Sequence, residues 1–289
     1  MAAKLALVHM VRLCTLVVLF GSVVIAPVSA AEPVTFPATS DYNDKPVTLE
    51  ADLYRPEGAG PFPAVILMHG CGGWQPAVKR ALHTHAEYLV ERGFVVLNLD
   101  SFGPRGNADG WVCAKIPRLA EAQVYRAHDA FDAMKYLGEQ NFIHRDNIFL
   151  MGQSNGGSVA IHVAKAVGHK LFGGDVHGTK APSFRAVAAY YPWCGAFAFY
   201  GREIELISPL IVFGGAKDDW VPPGSCERVM TSGAEYTLHI YPNAAHSFDL
   251  EIKVQKYLGH LVGYDKPATL ASRREMVAFF RKHMTGDVK

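Results

Sequence analysis

Hydrophobic and polar positions follow two rhythms along this chain. Residues 47–54 (VTLEADLY) alternate with a period near two, as a half-buried strand does, until Arg55 and Pro56 break the pattern. The spacing predicts an edge strand or one arm of a hairpin. Ala64–Met68 (AVILM), Phe94–Leu99 (FVVLNL), Ile148–Met151 (IFLM), Ala186–Tyr191, Pro209–Phe213 and Tyr236–Tyr241 are instead short, largely apolar runs. Runs of this kind suit strands buried on both faces of a parallel sheet. Between them, apolar residues recur at three- and four-residue steps. They predict helices over 76–92 (closed by Gly93), 119–137, about 155–167 and 268–284. Strands alternating with helices predict an α/β fold, with a mostly parallel central sheet flanked by helices on both faces. Residues 168–185, mixed in polarity and rich in glycine, read as an insertion.

Composition changes this picture mainly at the amino terminus. The 289-residue chain is 49% hydrophobic, enough to bury one substantial core, and residues 31–289 are expected to form a single domain. Residues 1–30 read as a secretory signal peptide. Lys4 and Arg12 precede an apolar run from Leu13 to Ala26, and Val28-Ser29-Ala30 offers small residues at the cleavage positions. The run is short for a membrane anchor, so no stable membrane insertion is expected after cleavage. The protein is expected to be exported, to a periplasm or the medium. The remaining chain carries 26 basic and 27 acidic residues, a balance that argues against a nucleic-acid partner. Its four cysteines, Cys71, Cys113, Cys194 and Cys226, form no C-x-x-C pair. An even count in an exported protein points to disulfides rather than to a metal. His83 and His85 stand two apart on a helix and face different ways, a poor metal pair. No metal or other cofactor is expected.

The candidate chemistry begins at Gly152-Gln153-Ser154-Asn155-Gly156, a G-x-S-x-G pattern between a predicted strand and a helix whose first turn is made of small residues. This is the arrangement of a nucleophile elbow, in which a serine sits on a strained turn and the flanking glycines avoid collision with the adjoining strand and helix. A serine hydroxyl needs a base to take its proton and an acid to orient that base. In a parallel sheet such partners stand just after the carboxyl ends of strands. GGAKDDWVPP follows the 209–213 run and PNAAHSFD follows 236–241. The expected set is Ser154 as nucleophile, His246 as general base and Asp218, in preference to Asp219, as orienting acid. Backbone N–H groups of Asn155 and Cys71, with Gly72 next, are expected to form the oxyanion hole.

HGCGGW at 69–74, DSFGPRG at 100–106, GQSNGG at 152–157, GGAKDDWVP at 214–222 and NAAHSFD at 243–249 together resemble the dienelactone hydrolase-like branch of the α/β-hydrolases. The resemblance runs from about Val47 to the carboxyl terminus. It implies the α/β-hydrolase fold and hydrolysis of a small-molecule ester or lactone without a cofactor. Over its matching motifs it implies roles for Ser154, Asp218, His246 and the loop at Gly70–Gly72. This chain departs from the dienelactone hydrolases proper, which carry a cysteine nucleophile in the elbow. Arg105, Lys115 and Arg118 occupy a loop where a substrate carboxylate could be met, and they read equally well as solvated loop residues.

With the strand order of that fold, Cys71 and Cys113 belong to loops from neighbouring strands, as do Cys194 and Cys226. Disulfides Cys71–Cys113 and Cys194–Cys226 are therefore expected, the first pinning loop 101–118 to the oxyanion loop. Trp74, Phe102, Trp111, Trp193 and Trp220 fall in loops at the expected rim, where aromatics suit an apolar pocket. Two other readings stand beside the ester hydrolase. One is a serine peptidase or amidase, for which the chain lacks length for an added cap domain. The other is a non-catalytic binding protein on the same scaffold.

Overall fold

The computed structural model describes residues 31–107, 111–168, 183–195 and 203–286. The expected signal peptide, most of the expected 168–185 insertion and the side chain of Trp111 lie outside the described residues. The strands are β1 Glu32–Pro37, β2 Thr48–Tyr54, β3 Phe62–Met68, β4 Val95–Asp100, β5 Ile143–Gln153 and β6 Val187–Tyr190. They continue as β7 Ile204–Leu206, β8 Leu210–Gly215, β9 Thr231–Gly233, β10 Tyr236–Tyr241, β11 Gln255–Tyr257 and β12 His260–Val262. Eight of them form one sheet in the order β1-β2-β4-β3-β5-β6-β8-β10. From β4 to β10 neighbouring strands are parallel, whereas β1, β2 and β4 pair antiparallel. β2 is thus the hairpin arm that the alternation suggests, but it is not an edge. β1 covers it, a strand that contains Pro33 and ends at Pro37 and that the hydrophobic pattern does not reveal. Proline is tolerated there because β1 is the edge strand.

Two helical layers cover the sheet, and the strand side chains divide between them. Ala64, Ile66 and Met68 of β3 pack with Leu97, Leu150 and the helices α2 (Ile116–Gly138) and α3 (Asn155–Ala164) through Ala127, Ala130, Val159 and Ala160. Val65 and Leu67 face the other way, against Leu82 and Leu89 of α1 (Pro76–Val90) and Met276 and Phe280 of the C-terminal helix Lys266–His283. Burial on both faces explains why these strands read as continuous apolar runs. The carboxyl ends of β3, β5, β8 and β10 lie along one edge, and the loops that leave them carry the candidate chemistry.

Candidate active site

β5 ends at Gln153 and α3 begins at Asn155, so one residue, Ser154, makes the whole turn. Its φ of 50° and ψ of −113° put a non-glycine residue in a sparsely populated region, the backbone strain that holds the side chain out of the turn. Gly152 and Gly156 make this turn sterically feasible. A Cβ at Gly152 would lie 2.1 Å from the Gly156 carbonyl oxygen, and one at Gly156 would lie 2.5 Å from the Met68 carbonyl oxygen. Serine at such a position commonly caps the following helix, but the Ser154 hydroxyl makes no cap hydrogen bond. It meets His246 Nε2 instead, at 3.0 Å.

His246 Nδ1 lies 2.7 Å from Asp218 Oδ2. The other carboxylate oxygen of Asp218 accepts the backbone N–H groups of Trp220 and Val221 at 3.0 and 2.9 Å, which fixes the carboxylate. A carboxylate can only accept, so Nδ1 carries the proton and Nε2 is left to accept from Ser154. Asp219 takes no part in this chain of bonds. It is half-exposed and accepts the Leu261 N–H at 2.7 Å, anchoring the β11–β12 ribbon. Ser154, His246 and Asp218 therefore come together as a hydrogen-bonded relay, although 92 and 28 residues separate its links.

The loop after β3 approaches the serine closely. A Cβ at Gly70 would sit 3.3 Å from Ser154 Cβ, a crowded contact that glycine at residue 70 avoids. The loop rests on His69, which is fully buried. Its Nε2 accepts the Ser101 N–H at 3.3 Å, and Nδ1 donates to the Gly70 carbonyl at 2.7 Å. Burial, assisted by the nearby Arg126 guanidinium, holds the His69 pKa below its ordinary value and favours the neutral ring. The DSFGPRG stretch supplies this support. Asp100 accepts the N–H groups of Phe102 and Gly103, both at 2.9 Å. Burial would raise the Asp100 pKa, but those backbone donors help to hold it low.

Against known proteins, the model of the dienelactone hydrolase family matches residues 49–284. The chain belongs to the dienelactone hydrolase family. Its members are α/β-hydrolases, and the chain is accordingly a hydrolase acting on ester bonds. Solved structures of the same fold include a dienelactone hydrolase-like promiscuous phosphotriesterase from metagenomic libraries, at 18% identity and a TM-score of 0.62, covering 89% of this chain and 100% of that one. A thermophilic esterase from Thermogutta terrifontis gives 18% and 0.61 over 88% and 94%. A dienelactone hydrolase from Anabaena variabilis gives 18% and 0.58 over 89% and 100%. No curated protein matches the sequence.

In this member of the dienelactone hydrolase family the serine opens onto two chambers. Both are lined by Cys71, Ser154, Trp220 and His246. The smaller, about 220 Å³, is further walled by Val78, Leu250, Ile252 and Val262. The larger, about 480 Å³, is walled by Ile116, Leu119, Ala120 and Trp193. Trp220 stands between them with its ring 5.1 Å from the His246 ring. Trp193, 43% exposed, lies at the rim of the larger chamber. Gly72 and Cys113 line the smaller one, and Asn155 the larger. The Cys71–Cys113 and Cys194–Cys226 disulfides are both formed.

Other expected rim residues are placed elsewhere. Trp74 lines neither chamber, and its ring is covered by the Lys79 ammonium at 4.0 Å. Phe102 is fully buried beneath the site, edge-on to His69. Arg105 is not a solvated loop residue. It is buried in a two-pronged ion pair with Asp129, at 2.9 and 2.8 Å. Burial raises the Asp129 pKa to about 6 despite that pairing. His83 and His85 indeed part company: His83 meets Glu87 near the surface, whereas His85 is buried against Asp249.

Sequence reasoning did not find Arg126, Gln153, Tyr191 or Asp249. Asp249 is fully buried and accepts from His85 Nε2, Gln153 Nε2 and the Tyr191 hydroxyl at 2.7, 2.6 and 2.5 Å. It thus ties the His246 loop to the residue preceding Ser154. A signal for Arg126 did exist. It stands four residues from both Ala122 and Ala130, a charge in the middle of an apolar helix face.

Proposed function

We propose that the chain is an exported serine esterase, a single catalytic domain over residues 31–289. Ser154 attacks the carbonyl carbon of an ester while His246 Nε2 takes its proton. The tetrahedral oxyanion is held by the backbone N–H groups of Cys71 and Asn155, with Gly72 adjacent. His246 then returns the proton to the leaving alkoxide, forming an acyl-enzyme, and repeats the cycle with water. Asp218 keeps the proton on Nδ1 and stabilises the imidazolium. No step calls for a cofactor. The observation that carries the reading is the continuous chain of bonds from Asp218 through His246 to Ser154, at 2.7 and 3.0 Å.

The apolar walls on either side of Ser154 favour an ester with two apolar arms of unequal size. Bringing a charged arm into such walls costs several kcal/mol of lost hydration. Export is favoured by the amino-terminal sequence pattern and by two disulfides in one chain. An esterase from Thermogutta terrifontis of the same fold is phosphorylated by paraoxon, which recommends that reagent as a probe here. Wild type is expected to hydrolyse short nitrophenyl esters and to be inactivated stoichiometrically by paraoxon, with the adduct mapped to Ser154. Ser154→Ala is expected to lose both properties. Wild-type turnover by Ser154→Ala would refute the assignment, and inertness of both proteins would favour a binding role. Amino-terminal sequencing of exported protein should begin at Ala31.

A further inference from the structure

Arg126 is the largest fully buried side chain of the described residues, and it lies behind the serine rather than in either chamber. From α2 its guanidinium reaches two separate segments. Nη1 donates to the Asn155 side-chain oxygen at 2.6 Å, and Nη2 donates to the His69 carbonyl at 2.5 Å. Cζ also lies 4.9 Å from the centroid of the Phe102 ring. Asn155 carries one of the two N–H groups assigned to the oxyanion, and His69 stands two residues before Cys71, which carries the other. A single rigid fork thus spans the two halves of the oxyanion hole. Lysine could not reproduce it, having one nitrogen where arginine has a planar pair. Both acceptors are neutral. The carboxylates that act on the cation, Asp129 and Asp100, are not bonded to it, and Asp129 is paired with Arg105, so part of the positive field remains next to the place where negative charge develops. Burial lowers its pKa to about 10, still above working pH.

We propose that Arg126 is a positioning residue for transition-state stabilisation: it sets the separation of the Cys71 and Asn155 N–H donors and adds a buried positive field behind them. This rests on the serine-esterase reading above. It makes no contact with the chambers, so its contribution belongs to the tetrahedral state rather than to ground-state binding. Removing a direct oxyanion donor commonly costs about 100- to 1,000-fold in kcat. Displacing both donors slightly should cost on the order of 10- to 100-fold.

The test compares wild type, Arg126→Lys, Arg126→Met and Asn155→Leu. The last removes the acceptor but keeps the Asn155 backbone N–H and the arginine. Each is first checked for native circular dichroism, then assayed for kcat and KM on a nitrophenyl ester and for inhibition by an aryl trifluoromethyl ketone, which forms a tetrahedral adduct. The expected result is a kcat loss of about 10- to 100-fold in both Arg126 variants, KM within about threefold, and ketone affinity falling in step with kcat. Asn155→Leu should show the same pattern more weakly and add little on top of Arg126→Met. Folded variants with wild-type kcat, or with KM and kcat altered while ketone affinity is kept, would overturn the proposal. Should Arg126→Met fail to fold, Arg126→Lys and Asn155→Leu put the same question. Ser154→Ala run in parallel separates the two failures: its full activity would sink the esterase reading, whereas its inactivity beside a fully active Arg126→Met would sink only the role of Arg126.

Discussion

The Tyr191 hydroxyl donates a 2.5 Å hydrogen bond to Asp249, while the Tyr191 ring lies edge-on to the His246 imidazole with centroids 4.8 Å apart. Burial, reinforced by the adjoining carboxylate, pushes the Tyr191 pKa well above its ordinary value, so the phenol remains a donor at every working pH. Tyr191 also has a φ of 37°, and these contacts hold that uncommon conformation. Tyr191→Phe keeps the ring against His246 and removes one of the three donors to a buried carboxylate. The expected loss is about 1–3 kcal/mol of stability, with kcat reduced less than tenfold. Thermal melting beside steady-state kinetics checks this, and an unchanged Tm would contradict it.

Asp249 and His85 should make the protein sensitive to acid. Burial, and then the charge of Arg273, lowers the His85 pKa below its usual value near 6.5. His69 is lowered likewise, and burial brings His162 down to about 4. At these three histidines the unfolded chain binds more protons than the folded one below about pH 6.5. Asp129 and Asp132, whose pKa values burial raises, act the other way but are fewer, so stability falls as pH falls through that value. Burial alone would raise the Asp249 pKa, but the bonds from His85, Tyr191 and Gln153 depress it. Its contribution is present above about pH 4 and is lost at more acid pH. Urea midpoints at pH 8, 6 and 5 should decline in that order. His85→Gln should flatten the slope between pH 6.5 and 5, and an unaltered slope would show that His85 is not among the titrating groups.

The two disulfides close loops of similar length, with separations of 42 and 32 residues. Chain entropy then assigns each about 4 kcal/mol. Their sites differ. Cys71 and Cys113 line the smaller chamber, whereas Cys194 and Cys226 belong to the core beneath α3. Replacing either pair by serine should lower Tm by comparable amounts, while only the Cys71/Cys113 pair should reduce kcat at temperatures where both variants stay folded. Equal kinetics in the two variants would refute a role for the first disulfide in holding the oxyanion loop.

The unequal chambers predict directional specificity. Ala120 is exposed on α2 at the larger chamber, so Ala120→Trp can fill that space without disturbing the core. It should lower kcat/KM at least tenfold for esters with a bulky arm and leave nitrophenyl acetate within about threefold. Ala77→Trp should act on the opposite arm through the smaller chamber. A panel of esters varied on the acyl and alcohol sides reads both effects, and identical profiles for the two variants would refute the two-chamber account.

The chain by itself determines the strand runs, the helices, the elbow and the chain order of serine, acid and histidine. Each is legible because it depends on local spacing: double-sided burial demands apolar runs, and the turn at Ser154 demands glycine at 152 and 156. The disulfide partners follow once a strand order is assumed. Only the tertiary structure decides the rest. β1 carries two prolines and is a strand through its pairing with β2. Arg105 and Asp249 look like surface charges, and Arg126 is only an odd charge on an apolar helix face, until the packing supplies Asp129, His85, His69 and Asn155, which lie 24 to 164 residues away in sequence. Trp74 and Phe102 sit in the right loops but face away from the chambers, because loop membership does not set side-chain direction. The choice of Asp218 over its neighbour is finally one of angle, since a single residue step turns a carboxylate from His246 toward the surface ribbon.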